Sequence, residues 1–126
     1  MRSCAFGFSI LLMLCAFVGC GTPAPLESLI FPAKGKVSHN GKPLTKGRLI
    51  FEPEGAGRDA SADIQPDGSY VMTTFQKDDG AARGSHRVYV DGLKKSELPA
   101  KFSTPGTSGT KVEIKADQTD YEVDFK

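Results

Sequence analysis

Two histidines, a single asparagine and a scatter of turn aspartates are the side chains of this 126-residue chain whose types and spacing could do chemistry. His39 falls in a turn and His86 on a strand, with no third ligand at a spacing that a metal would need, so the histidines predict no metal centre. Ser85 and His86 are neighbours on one strand and point to opposite faces, so they cannot hydrogen-bond as a nucleophile and its base. Asp63, Asp67, Asp78 and Asp79 offer the oxygen ligands that calcium prefers, but their spacing matches no calcium loop, and aspartate in turns serves the backbone. Arg87 and Tyr89 on one strand face, with Phe75 in a loop, could stack against sugar rings. No catalytic set and no cofactor site is expected.

The most specific signal lies at the N-terminus. Met1-Arg2-Ser3 is a short positive start, Cys4 to Val18 is an uncharged apolar run, and Phe17-Val18-Gly19-Cys20 closes it with a small residue before a cysteine. The apolar run is shorter than the roughly 20 residues that span a bilayer. This stretch resembles a bacterial lipoprotein signal peptide, with Phe17 where such motifs usually carry Leu. The resemblance implies cleavage of residues 1–19, a thioether-linked diacylglycerol on Cys20 and acylation, palmitate for instance, of the new amino terminus. Two or more acyl chains, at about 0.8 kcal/mol per buried CH₂, hold a protein durably on a membrane where one does not. The segment 20–33, Pro-rich at Gly21-Thr22-Pro23-Ala24-Pro25, is then a tether, within which Leu29-Ile30-Phe31 is an apolar patch suited to the domain edge.

Charge and cysteine usage agree with that organisation. Without Arg2 the chain keeps 15 basic against 15 acidic side chains, a balance that disfavours a nucleic-acid partner. Cys4 and Cys15 leave with the leader and Cys20 carries lipid, so residues 34–126 must hold by packing and strand pairing alone.

Those residues are short β-prone runs separated by Gly, Pro and Asp turns, which predicts an all-β sandwich of about seven strands. Strands are expected at 34–38, 47–52, 60–64, 69–74, 85–91, 110–115 and 120–126. Leu49 and Phe51 alternate inward, as do Tyr70 and Met72, then His86, Val88 and Val90, then Val123 and Phe125. Asn40-Gly41 is a tight hairpin turn, and Pro66-Asp67-Gly68 is expected to join the third and fourth strands as a central hairpin. Leu98 and Phe102, in the irregular stretch 93–109, are placed over an open end of the core.

Gly35-Lys36-Val37, Asn40-Gly41-Lys42-Pro43-Leu44, Gly47-Arg48-Leu49-Ile50-Phe51, Asp67-Gly68-Ser69-Tyr70, Gly84-Ser85-His86-Arg87-Val88 and Leu98-Pro99-Ala100-Lys101-Phe102 follow in the order seen in small planctomycete-type lipoproteins. These resemble carboxypeptidase regulatory-like domains of the transthyretin-like type. The resemblance implies a Greek-key, immunoglobulin-like antiparallel sandwich and a non-enzymatic interaction or structural module. It would sit outside the cytoplasm on the bacterial cell envelope, membrane-bound through Cys20, with an envelope protein or a glycan as partner. A carbohydrate-binding accessory domain is the alternative. A transthyretin-like hydrolase ranks third, because the Tyr-Arg-Gly-Ser ending of such enzymes is replaced here by Val123-Asp124-Phe125-Lys126. An isopeptide bond through Asn40 or Asp124 is not expected, since Asn40 lies in a turn and Asp124 alternates away from the core.

Overall fold

A computed structural model describes residues 29–126, together with Gly19 and Gly21. Cys20, the rest of the leader and residues 22–28 lie outside the described residues.

The body is an all-β sandwich. Its first sheet is built on β2 (Lys34–His39), and its second is the antiparallel array β5 (Ala60–Asp63), β4 (Arg48–Pro53), β8 (Gly84–Asp91), β9 (Thr110–Ile114). Period-two alternation explains the layering. Along β4, Leu49 and Phe51 are buried while Arg48 is exposed and Ile50 and Glu52 are half-buried; along β8, His86, Val88 and Val90 are buried while Ser85 is exposed and Arg87 and Tyr89 are half-buried. Register then places Leu49 opposite Val90 and Phe51 opposite Val88, so the middle of this face is apolar, with His86 at one end opposite Pro53. Tyr70, Met72, Ile114, Tyr121, Val123 and Phe125 close the same core from the other elements.

The first sheet divides one side of β2 between two short strands. Lys34 to Lys36 pair with β6 (Ser69–Val71), and Ser38 and His39 pair with β3 (Lys42–Pro43). Val37 is the point of transfer, its N–H donating to the Gly68 carbonyl and its carbonyl accepting from Leu44 N–H. Asn40 and Gly41, at φ 50° and 79°, make the reversal between β2 and β3. On the other side of β2 runs β10 (Val123–Phe125), and it runs parallel. That departs from the expected fully antiparallel sandwich. The reason is that β9 ends beside the start of β8, with Ile114 opposite Gly84, so the returning chain starts along β2 from its beginning, at the Lys34–Asp120 bridge.

The central hairpin expected around Asp67-Gly68 is only partly formed. The turn itself closes, with Gly68 N–H on the Gln65 carbonyl and Gln65 N–H on the Ser69 carbonyl, and Ser61 and Thr73 exchange two backbone bonds further out. Between these points the flanking strands part into different sheets, β5 onto β4 and β6 onto β2. The Asp67 carboxylate accepts both the Ser69 N–H at 3.0 Å and the Ser69 hydroxyl at 2.6 Å, which removes the donor that would have continued the ladder from the turn.

Ten strands are present among the described residues, because two-residue strands β1 (Ile30–Phe31), β3 and β7 (Ala81–Ala82) add to the longer ones. β1 pairs with β7, and Ala33 is buried in the core. Residues 30–33, read from the sequence as tether, therefore belong to the folded body. In the stretch 93–109, Ala100–Ser103 forms a 3₁₀ turn and Pro105–Ser108 a single helical turn, α1. They press Phe102 onto Phe125, ring centroids 5.1 Å apart, and bury it and Leu98 under the end of the sandwich.

Candidate functional site

Each described residue singled out for chemistry has a definite place, while Cys20 lies outside the described residues. His86 is buried at the start of β8, tilted against Phe51 at 6.0 Å. Its Nε2 lies 2.6 Å from the Ala82 carbonyl, which can only accept, so Nε2 carries a proton and donates it there. Its Nδ1 is buried without a hydrogen-bond partner among the described residues. Ser85 faces solvent on the other side of the strand, so no dyad forms. His39 packs edge-on against Phe102 at 5.6 Å and borders a crevice of about 290 Å³ with Lys42, Lys46, Leu93 and Glu97. Lys46 and Glu97 pair across that crevice, and this lysine holds the Glu97 carboxyl below the usual range.

The four turn aspartates do not converge. Asp67 is committed to Ser69, whose hydroxyl and N–H hold its carboxyl low. Asp63 lies 4.0 Å from Arg48. Asp78 occupies a left-handed position at φ 60°. Asp79 caps its own loop, accepting N–H bonds from Thr74 at 2.7 Å, Phe75 at 2.9 Å and Gln76 at 2.9 Å. No group of three or more His, Cys, Asp or Glu residues suited to a metal ion occurs among the described residues. Partial burial pushes the Asp79 carboxyl up, but the backbone donors outweigh it and the net displacement is downward. A carboxylate whose folded pKa is depressed stabilises the fold above its unfolded pKa and loses that contribution as pH falls through the folded value. Asp79→Ala should therefore cost about 1–3 kcal/mol at neutral pH, and the gap in melting temperature should begin to narrow only as pH falls below about 4, closing as it passes through the depressed folded value. A difference that persists undiminished in acid would show that the carboxylate charge is not what orders the loop.

Asp124 points away from the core, as alternation requires, and serves the β2–β3 turn. Its Oδ1 accepts from Gly41 N–H at 3.1 Å and from the Ser38 hydroxyl at 3.0 Å, and the Gly41 bond is the main reason its carboxyl is held low. Among the described residues it pairs with no lysine. Arg87, Tyr89 and Phe75 are engaged separately. Arg87 pairs with Glu52 at 3.3 Å on the outer face of the second sheet, and Tyr89 is one step along the same face, opposite Ile50. Phe75 lies instead under the Arg58 guanidinium, 5.5 Å from its centre.

Phe75 belongs to a crevice of about 210 Å³ that no sequence motif announced. Leu29, Ile30, Ala82 and Arg83 form one wall and the loop Ala56–Arg58 the other, with Phe75 alongside. The β1–β7 ladder assembles it, tied by the Arg83 N–H to the Leu29 carbonyl at 3.0 Å. Its charged groups are the two guanidinium groups of Arg58 and Arg83, and the rest of the lining is apolar or backbone. Neither arginine makes an ion pair among the described residues. No helix among the described residues is long and apolar enough to cross a membrane. No family model, no curated protein and no solved structure matches the chain.

Proposed function

We propose that the chain is a lipid-anchored protein of the bacterial cell envelope, attached through Cys20, whose β-sandwich works outside the cytoplasm as a non-enzymatic interaction or structural module. The observation that carries this reading is the N-terminal order of residues: Arg2, then the uncharged run to Val18, then Gly19-Cys20 and a Pro-rich segment. The likeness of the chain's turn and core motifs to carboxypeptidase regulatory-like lipoprotein domains supports it. So does the use made of the reactive residue types. Asp67, Asp79 and Asp124 bond to backbone N–H groups, and His86 is spent in the core, so the polar chemistry goes into holding loops on a rigid body.

Intact-mass analysis of protein extracted from membranes tests the proposal. The expected amino terminus is Cys20 carrying a diacylglyceryl group and an amide-linked fatty acid, and Cys20→Ala should shift the protein from the membrane to the soluble fraction. An unacylated parent whose Cys20→Ala variant stays membrane-bound would overturn the anchor.

A further inference from the structure

We infer that the crevice between β1 and the Ala56–Arg58 loop is the face this domain turns to its own membrane, with Arg58 and Arg83 binding the phosphates of anionic lipid headgroups. The inference rests on the anchor at Cys20.

Reach supports it first. Cys20 precedes Leu29 by nine residues, and an extended chain covers at most about 3.3–3.6 Å per residue, so Leu29 stays within roughly 30 Å of the lipidated residue. Leu29 also lines the crevice, which places the crevice at the end of the body where the anchored segment enters. The tether therefore keeps this rim within reach of the bilayer surface.

Chemistry supports it second. Large hydrophobic side chains left exposed among the described residues are Leu29, at 46%, and Val71, at 44%, and the first of them stands at this rim. Beside it are Ile30 and Phe75, which suit the boundary between headgroups and acyl chains. The two arginines have no carboxylate partner among the described residues and no carboxylate lines the crevice with them. A guanidinium offers a planar set of donors that matches a phosphate, and it sheds water more readily than an ammonium. The rest of the domain has little net charge, so these two groups supply the local attraction rather than a general field. At an anionic surface, two such residues shift the balance toward the docked state on the order of thirtyfold.

The test uses the acylated protein as extracted, placed in nanodiscs of phosphatidylcholine alone or of phosphatidylcholine mixed with phosphatidylglycerol, and followed by amide hydrogen exchange. Amides of residues 55–58 and 75–76 should exchange several-fold more slowly in the anionic discs. Added salt or the double variant Arg58→Gln, Arg83→Gln should remove the difference, while exchange in β8 stays that of the parent and reports an intact fold. Equal exchange in both discs would overturn the membrane face and leave the anchor standing, as would protection confined to the crevice beside His39. An extracted protein whose mass shows no acyl group overturns the anchor and this inference together.

Discussion

Phe51→Ala is expected to lower the unfolding free energy by about 3–5 kcal/mol, against a total of roughly 5–15 kcal/mol for a domain of this kind. Phe51 is fully buried in the middle of β4, between Ala60 and Val88 on the neighbouring strands. Its ring meets Tyr70 edge-on at 5.9 Å, and Tyr70 belongs to the opposite sheet. Truncation therefore opens a cavity at the junction of the two layers, where β4, held on both sides by ladders, has little freedom to collapse. Tyr70 magnifies the loss, because its hydroxyl donates to the Tyr121 carbonyl and ties the packed ring to the segment that leads into β10. Urea unfolding checks the prediction. The midpoint should fall with the slope unchanged, and Ile50→Ala, one residue away on the half-buried outer face, should cost about 1 kcal/mol or less. A Phe51→Ala loss no larger than that of Ile50→Ala would mean that the sheets are not joined through this ring.

The contrast between residues 50 and 51 also shows what was legible from residue order. Strand alternation is a local property with a period of two, so Leu49, Phe51, Val88 and Val90 could be assigned to the core without knowing which strands pair. Turn chemistry was legible for the same reason. Asn40-Gly41 and Asp67-Gly68 both reverse the chain, but the turn residues do not say whether the strands that leave them stay together. At Asn40-Gly41 they stay paired for two residues; at Asp67-Gly68 they go to different sheets. That choice depends on which edges of β2 and β4 are open, which is settled by residues tens of positions away. The crevice was illegible for a stronger form of this reason. Leu29, Arg58 and Arg83 are widely separated in the chain and meet only because β1 finds β7, and a two-residue strand leaves almost no periodic trace. Cys20, proposed to carry lipid, lies outside the described residues, and its reading rests wholly on its immediate neighbours in the chain.

Gly35→Ala is expected to cost about 3 kcal/mol, although its backbone conformation is one that alanine adopts freely. The cause is contact. A Cβ at residue 35 would run into the carbonyl oxygen of Tyr121, which already accepts the Tyr70 hydroxyl, and the neighbouring Tyr121 N–H donates to the Lys34 carbonyl at 2.8 Å. Backbone meets backbone there, so no side-chain rotation can relieve the overlap. Either β2 moves away from the segment before β10, breaking the bonds at Lys34, or the Tyr70 hydroxyl loses its acceptor. Gly41→Ala provides the control. Its φ of 79° strains any residue with a Cβ, but nothing lies within 4 Å of the added atom, so the cost should be about 1 kcal/mol. The two variants also differ in where the damage falls. Gly35→Ala should accelerate amide exchange at Lys34, Tyr121 and Met72, whose N–H bonds flank the crowded site, whereas Gly41→Ala should disturb only residues 38–43 and the Asp124 cap. If Gly35→Ala proved as mild as Gly41→Ala, β2 and the β10 entry would have to be looser than their hydrogen bonds imply, and the parallel pairing of β10 would be the first assignment to give way.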